Sequence, residues 1–298
     1  MFYRLKASLG LKKLNAAAKG ILQTPPIPVT NDPLIFLSQL CHRDVLAYLV
    51  ALKSIHRAFK QGRVIIMDDG SLTDEDKAIL AEHIPEVVIR PIAEVDTHGC
   101  PRGGTWERLW AIMEMSRIAY VIQVDADLIG LGPMPETVAA YQSDRCFTLG
   151  SRMGQSIETF TTTSKHASVL NSKHVQTLSE RIFKELPHAD QRYYVRGCSG
   201  FAGFAQNSIK PETLITFSEQ VETKIGSVWH EWGSEQISSN MLIANTTDPL
   251  ILPHPAYANY DPDINPANAQ LLHFVGTHRF YRGIYAQTAR KVIKDLTN

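Results

Sequence analysis

The stretch from Pro33 to Val124 alternates between short apolar runs and segments with apolar residues at helical spacing, and this alternation constrains the fold more than any other feature. Short apolar runs are typical of buried strands, whereas apolar residues three or four positions apart indicate helices. Such an order predicts a mostly parallel sheet covered by helices on both faces, because parallel strands need a crossover between them. We predict strands over 34–40, 63–67, 87–90 and 120–124, and helices over 44–59, from Thr73 onward and over 105–118.

The alternation weakens beyond residue 150. The polar and β-branched stretch 159–164 predicts either an edge strand or a loop. Residues 197–203 are rich in small residues, and Cys198-Ser199-Gly200 within them predicts a loop or a glycine-rich turn. We expect a strand over 249–253 and helices over 234–244 and 286–296.

Residues 33–298 contain no internal repeat, and we interpret them as one α/β domain with two halves, 33–150 and 151–298. Residues 1–32 differ, because leucine and phenylalanine alternate there with lysine and arginine. This pattern predicts a basic helix that either lies on an anionic membrane surface or packs on the domain. An extended proline-rich linker follows at 24–28. The apolar residues of the helix are Phe2, Leu5, Leu9, Leu11 and Leu14, and the basic ones are Arg4, Lys6, Lys12, Lys13 and Lys19.

Composition excludes several classes of protein. Lysine and arginine together number 30, as do aspartate and glutamate, so the formal net charge is zero, which argues against nucleic acid as the main partner. No segment approaches the ~18 apolar residues of a membrane span, and the N-terminus lacks a signal-peptide core, so we expect a cytoplasmic protein. Four widely spaced cysteines without a CxxC pair indicate reduced thiols. They are Cys41, Cys100, Cys146 and Cys198.

Two acidic clusters stand at predicted strand ends. Asp68-Asp69 follows the second strand, and Asp125-Ala126-Asp127 follows the fourth. Ligands of parallel α/β sheets bind beyond the carboxyl ends of the strands, so we expect both clusters to face one cleft. Asp125 and Asp127 point the same way at spacing i, i+2. They can hold a divalent cation, and that cation can hold a diphosphate.

Four segments occur in an order that carries more information than any one of them alone. They are Val64–Ser71, Thr105–Asp127, Glu235–Asn240 and His273–Arg279. The first resembles the first nucleotide-binding strand of GT-A-fold glycosyltransferases. The other three are similar to the metal-site stretch, the Asp-Gln-x-x-x-Asn segment and the His-x-x-Gly-x-x-Lys segment of the retaining family 8 enzymes, which are galactosyltransferase- and glycogenin-like. The resemblance spans roughly residues 33 to 281.

This resemblance implies a Rossmann-like GT-A fold and a metal-dependent hexosyltransferase. Residues 33–150 would bind the nucleotide of a nucleotide-sugar donor, with UDP expected. Residues 151–298 would bind a glycan or lipid-linked acceptor. The N-terminal residues, independently of the resemblance, predict a cytoplasmic protein in which the basic N-terminal segment either makes peripheral contact with the inner face of the membrane or packs on the domain.

The resemblance also implies a ligand set. Asp125, Asp127 and His273 would bind Mn²⁺ or Mg²⁺, and a neutral imidazole suits Mn²⁺ better. Asp125 would also touch the ribose of the donor. Gly276 would let the backbone approach the diphosphate. Arg279 stands where the family has lysine, and either cation can neutralise a leaving phosphate.

Other residues have two readings each. Asp68 and Asp69 would accept hydrogen bonds from the base or ribose, or they only form a helix-capping turn. Arg108 would clamp the donor, or it forms a helix-surface salt bridge. Gln236 matches the family residue near the anomeric carbon, and Glu235 replaces an aspartate that orients the substrates. The alternative for Glu235, and for Glu231 nearby, is that they are only acids of a first helical turn.

The stereochemical outcome stays open at this point. The order of the motifs favours the retaining family, whereas Asp-Asp-Gly-Ser at 68–71 is also typical of the inverting family 2 enzymes. In an inverting enzyme Glu235 or Glu231 would be the general base. A nucleotidyltransferase would carry a glycine-rich phosphate loop after the first strand, but this chain has Cys41–Asp44 there. A non-catalytic binding protein with a degenerate site is the remaining alternative.

Overall fold

The computed structural model describes residues 2–152 and 154–297, with side chains from residue 8 onward. The helices are α1 (Phe2–Ala18), α2 (Val45–Phe59), α3 (Asp74–His83), α4 (Trp106–Ser116), α5 (Pro135–Gln142), α6 (Phe160–Ser168), α7 (Val175–Ile182), α8 (Pro211–Ile225), α9 (Ser234–Ala244) and α10 (Ile284–Thr297). The strands are β1 (Leu34–Leu40), β2 (Arg63–Asp68), β3 (Val88–Pro91), β4 (Tyr120–Val124), β5 (Leu128–Gly130), β6 (Phe147–Gly150), β7 (Ile157–Thr159), β8 (Tyr193–Val195), β9 (Gly197–Phe204), β10 (Leu250–Leu252), β11 (Tyr257–Asn259) and β12 (Leu271–His273).

A seven-stranded sheet forms the centre of the molecule, in the order β10-β6-β9-β4-β1-β2-β3. Strand β9 runs antiparallel to both of its neighbours, β4 and β6, and every other pair in this sheet is parallel. The predicted mostly parallel sheet of a single α/β domain is therefore confirmed.

Helices cover both faces of this sheet. The crossover β1-α2-β2 leads from β1 toward the β3 edge of the sheet, whereas the crossover β3-α4-β4 leads back from that edge past β1 to β4. Because parallel crossovers are right-handed, the two helices must lie on opposite faces. On one face α1 and α10 pack on α2, and on the other α9 packs beside α4 and against β9.

A second, three-stranded sheet has the order β11-β12-β5. Strand β5 begins directly after Asp127, and β12 runs antiparallel to it, with His273 opposite Leu128. On its other side β12 is parallel to β11, with His273 opposite Asn259. This small sheet therefore brings a C-terminal histidine to the end of β4.

The N-terminal helix packs on the domain. Leu14, Ala17 and Ala18 are buried, and α1 contacts α10. The basic and apolar side chains predicted at positions 2–6 lie outside the described side chains. The linker that follows is fastened by Lys53, whose Nζ donates to Thr24 Oγ1 at 2.8 Å and to the carbonyl of Pro25 at 2.7 Å.

Two predictions for the second half are wrong. Residues 159–164 are neither an edge strand nor a loop, because β7 ends at Thr159 and α6 begins at Phe160. The Thr159 hydroxyl accepts from the amide of Thr162 and so caps this helix. Residues 198–200 are neither a loop nor a turn but part of the buried strand β9. A Cβ on Gly203 would collide with the Phe147 ring, so close packing accounts for glycine in this strand.

No helix among the described residues is long and apolar enough to cross a membrane. The four cysteines all fall within the described ranges, and each is a free thiol.

Candidate active site

Asp125, Asp127 and His273 form a compact cluster at the end of β4. Each offers one ligand atom, and these atoms lie within 4.8 Å of one another. The Nε2 atom of His273 lies 2.8 Å from Asp127 Oδ1 and 3.7 Å from Asp125 Oδ2. Two carboxylates and an imidazole are a donor set that Mn²⁺ accepts readily. The three residues predicted as metal ligands are therefore adjacent in the structure.

Main-chain pairing holds this cluster together. The amide of Asp125 donates to the carbonyl of Gly200 at 2.9 Å, which ties the cluster to β9. The amide of Phe274 donates to the carbonyl of Asp127 at 2.8 Å, which ties it to the residue after β12. A Cβ on Gly200 would collide with the His273 ring, so this position of β9 requires glycine.

The second nitrogen of His273 has a partner of its own. Its Nδ1 lies 2.9 Å from Asn259 Oδ1 at the end of β11, and 3.4 Å from Cys198 Sγ. An amide oxygen can only accept, so Nδ1 carries the proton. This leaves Nε2 to face the carboxylates, which is how metal-binding histidines are commonly oriented.

The charges within the cluster shift one another's pKa values. Burial raises the pKa of the Asp125 carboxyl, and the Arg108 guanidinium offsets this only in part. Burial also acts to raise the pKa of Asp127, but His273 and Arg279 outweigh it, and the pKa lies below its ordinary value. Despite burial, Asp127 holds the pKa of His273 well above its ordinary value. A cation that takes these ligands therefore displaces a proton.

Arg279 bridges the cluster to the loop after β1. One guanidinium nitrogen lies 3.4 Å from Asp127 Oδ2 and another 3.4 Å from Asp44 Oδ1. Asp44 also accepts from the Cys41 thiol at 3.3 Å. The cation predicted for the leaving phosphate thus stands beside the carboxylates, held by two acids on separate elements.

Arg108 and Glu235 form a second ion pair behind Asp125. Arg108 contacts Asp125 Oδ1 and lies 3.4 Å from Glu235 Oε2. The same Glu235 oxygen accepts from Thr105 Oγ1 at 2.9 Å and from Ser199 Oγ at 3.2 Å. Both ion-paired side chains are buried. The interpretation of Arg108 as part of a helix-surface salt bridge is therefore wrong, because Arg108 itself is buried and its partner Glu235 is buried too.

Burial raises the pKa of Glu235 above its ordinary value, and Arg108 opposes this shift. Its other oxygen, Oε1, has no hydrogen-bond partner among the described residues. The neighbouring Gln236 is half-buried, and its Oε1 accepts from the amide of Ser199 at 3.3 Å. Both side chains therefore face β9 at a point close to Asp125.

A cavity of about 300 Å³ opens over the carboxyl ends of β1, β2 and β4. Both acidic clusters contribute to it, as the sequence predicted. The site residues predicted from sequence that line it are Asp69, Arg108, Asp125, Asp127 and Arg279.

Asp68 is turned away from this cavity. Its Oδ1 accepts from the amide of Gly70 at 2.8 Å and from that of Leu72 at 3.3 Å, as in a capping turn. Asp69 is exposed and binds the amide of Ser71 through Oδ1 at 3.0 Å. Only the second aspartate of the pair therefore faces the space where a ligand would lie.

Gly276 lies outside the cavity lining as well. Its φ of +70° is a conformation that side chains rarely adopt, and no described atom lies within 4 Å of the position of a Cβ. Backbone conformation therefore accounts for glycine here without crowding.

The sequence did not single out three residues of this site. Asp44 and Asn259 hold Arg279 and His273, and Thr105 lines the cavity. A polar residue one position before a helix, such as Asp44 or Thr105, usually signals a cap. Asn259 acquires a role only through its tertiary neighbours, which no local pattern records.

We expect Asn259→Ala to weaken the binding of Mn²⁺ by about 10- to 100-fold, because His273 loses the hydrogen bond that orients its ring. Calorimetric titration with Mn²⁺ measures this. Asn268→Ala, which removes an exposed amide nearby, serves as the control. Equal affinities in both variants would contradict the role given to Asn259.

Solved structures of glycosyltransferases show distant likenesses to this fold. The galactosyltransferase LgtC, solved with donor and acceptor sugar analogues, is 11% identical, with a TM-score of 0.47 over 89% of this chain and 96% of that chain. The mannosyltransferase Ktr4p from S. cerevisiae is 12% identical, with a TM-score of 0.44 over 82% and 76%. The mannosyltransferase PcManGT from Pyrobaculum calidifontis, solved with GDP-Man and Mn²⁺, is 12% identical, with a TM-score of 0.34 over 99% and 86%.

No curated protein matches the chain significantly in sequence. The sequence model of glycosyl transferase family 2 matches residues 47–210, which is more than half of the chain. The matched region contains both acidic strand ends and the parallel strands that carry them. The prediction of a GT-A glycosyltransferase is confirmed: this protein is a glycosyltransferase and belongs to glycosyl transferase family 2.

Proposed function

We propose that this glycosyltransferase moves a hexose from a UDP-sugar to a hydroxyl group of a glycan or lipid-linked acceptor, with retention of configuration and with Mn²⁺ as cofactor. The observation that carries this proposal is the cluster of Asp125, Asp127 and His273 with Arg279 beside it. The cluster borders a cavity that also reaches Asp69. Such a site can hold a diphosphate at its centre and a nucleoside toward the end of β2.

The residues of the cluster fit a divalent cation. Two carboxylate oxygens and an imidazole nitrogen converge, and Asn259 fixes the tautomer that leaves Nε2 available. Asp125, Asp127 and His273 would hold the ion, which when bound would neutralise charge on the diphosphate of the donor.

Arg279 and Arg108 would both stabilise the negative charge of the donor diphosphate. Arg279 is partly exposed beside Asp127, so its guanidinium can reach a phosphate oxygen. Arg108 lies deeper, where Asp125 and Glu235 hold it. Its fixed positive charge would stand beside the diphosphate, on the side from which the sugar is transferred. Fixed charges of this kind stabilise a leaving group most where water is excluded.

Asp69 supports the choice of a uridine donor. It is the exposed carboxylate at the end of β2, and uracil offers one imide N–H that such an oxygen can accept. The cavity of about 300 Å³ is open, so it can admit an extended nucleotide sugar without rearrangement of the sheet.

We expect Asp127→Asn to abolish the Mn²⁺-dependent release of nucleoside diphosphate from its sugar donor, because an amide cannot supply the charge that the cation needs. Incubation with a panel of nucleotide sugars measures this, and UDP-sugars should give the signal. Asp263→Asn changes an exposed acid and serves as the control. Full activity in Asp127→Asn, or activity with a different nucleotide alone, would contradict the metal or the uridine proposal respectively.

The surroundings of Glu235 support retention. One carboxylate oxygen is engaged by Arg108, Thr105 and Ser199 together, and the residue does not line the cavity. A carboxylate held in this way is suited to orienting Arg108. In a retaining front-face reaction the leaving phosphate oxygen can take the acceptor proton, so no strong protein base is needed.

Two observations favour an inverting reaction as the second candidate. The family match is to glycosyl transferase family 2, of which the Asp-Asp-Gly-Ser sequence at 68–71 is also typical. The Glu235 Oε1 atom has no partner among the described residues, and its pKa is raised by burial, so it is suited to accept a proton.

We expect Glu235→Gln and Gln236→Ala to slow the reaction without abolishing it, because the side chains would orient groups and not carry a proton. NMR of the product's anomeric proton decides the configuration. The exposed Glu231→Gln tests the other candidate base and serves as the comparison. An inverted product together with complete inactivity of Glu235→Gln would establish Glu235 as a general base and overturn retention.

Contact with the inner face of a membrane would bring the enzyme to a lipid-linked acceptor. Helices α1 and α10 both pack on α2 at the surface of one face, and both expose lysines. A cluster of exposed cations binds anionic lipid, and each lysine or arginine of the cluster contributes about 1 kcal/mol. The four free cysteines support a location in the cytoplasm, where thiols are kept reduced. The exposed lysines are Lys12 and Lys13 on α1, Lys19 directly after it, and Lys291 and Lys294 on α10.

We expect Lys12→Gln combined with Lys291→Gln to weaken binding to phosphatidylserine-containing vesicles by about 30-fold, from ~1 kcal/mol per lysine. Sedimentation with vesicles of graded phosphatidylserine content measures this. Lys173→Gln with Lys184→Gln, both exposed and on neither of these helices, serves as the control. Equal binding by the two double variants would exclude α1 and α10 as the contact surface.

A further inference from the structure

Trp232 differs from every other tryptophan of the chain. Its side chain is 66% exposed, whereas Trp106, Trp110 and Trp229 are buried. It also lines the active-site cavity, together with Thr105 and Arg108. The apolar face of an exposed indole is in contact with water. A ligand that binds at the mouth of the site and covers this face is therefore stabilised by the burial of apolar surface.

The loop that carries Trp232 is held at both ends. Trp229 is fully buried, and its Nε1 donates to Ser218 Oγ at 2.8 Å. Ser234 accepts from Trp106 Nε1 at 2.8 Å. Between them Gly233 has a φ of +109°, which turns the chain into α9. Trp232 is therefore presented on a short anchored loop, and little ordering is needed when it binds a ligand.

Within the cavity, Trp232 lies away from Asp69, where the nucleoside of the donor would bind. Asp69 follows β2, whereas Asp125 follows β4, and β1 lies between these strands, so the two ends are about 10 Å apart. The Cα atom of Trp232 lies 3.8 Å from the position of a Cβ on Gly104, next to Thr105. Thr105 binds Glu235, and Glu235 binds Ser199 of β9, beyond β4. Trp232 thus borders the side on which the sugar and its acceptor would meet.

We propose that Trp232 stacks on the pyranose ring of the acceptor, so that the acceptor presents a sugar, not a bare lipid or protein hydroxyl, to the reaction. This inference rests on the proposed function. The donor sugar would lie inward, beside Arg108, and Trp232 forms the outer rim that faces solvent. One face of a pyranose carries only C–H groups, which suit an indole. The neighbouring Thr105 hydroxyl can bind the hydroxyl groups at the edge of the ring.

Acrylamide quenching tests this without turnover. With Mn²⁺ and UDP present, we titrate methyl glycosides of glucose, galactose, mannose and N-acetylglucosamine, with glycerol as the non-sugar alcohol. Since the other three tryptophans are buried, the quenchable emission comes from Trp232. At least one glycoside should protect it, glycerol should not, and Trp232→Phe should lack the quenchable signal. Absence of protection by every glycoside would overturn the proposal.

Kinetics separate this inference from the proposed function. Trp232→Ala should raise the KM for the glycoside acceptor about tenfold, with a much smaller change in the KM for the donor, and Trp232→Phe should restore most of the loss. Tyr193→Ala removes an exposed aromatic ring outside the cavity and serves as the control. An unchanged acceptor KM, or a larger effect on the donor KM, would overturn the stacking role. If the wild-type protein released no nucleoside diphosphate from any donor, the proposed function itself would fail, while the quenching result would still decide on the sugar.

Discussion

The pairing of β5 with β12 is the interaction on which the candidate site depends. It places His273 opposite Leu128, one residue after Asp127, although Asp127 and His273 are 146 positions apart in the chain. Without this register the two aspartates would be an acidic turn at a strand end. With it, they acquire a nitrogen ligand and its supporting amide, Asn259, and a hard-oxygen pair becomes a site that discriminates among cations.

Charge balance around the cluster explains why so many ionisable groups can be buried together. Asp125, Asp127 and Glu235 face Arg108, Arg279 and His273, and each acid has at least one cationic or protonated partner within 3.8 Å. A buried charge without a partner would be costly. Arg108 and Glu235 each bond to more than one neighbour, so we expect their side chains to be held rigidly behind Asp125. Arg279 is partly exposed and able to change partners.

The sequence predicts the first half of the fold well because buried strands and amphipathic helices leave local periodic patterns, as in 34–40 and 44–59. It also predicts the acidic ends of β2 and β4, because strand ends in a parallel sheet share one edge. It fails at 198–200, where small residues normally signal a turn, whereas here Gly200 allows β9 to pass beside His273. It cannot predict the role of Asn259, since that role depends on the pairing of β11 with β12.

The contact of Gly200 with the His273 ring has a consequence for the order in which the site is built. Position 200 of β9 must carry no side chain if the imidazole is to lie between β9 and the aspartates. On the ribosome both aspartates and β9 emerge long before His273. The acidic turn and the sheet around it can therefore fold first, and the site becomes competent for a cation only when β12 inserts beside β5.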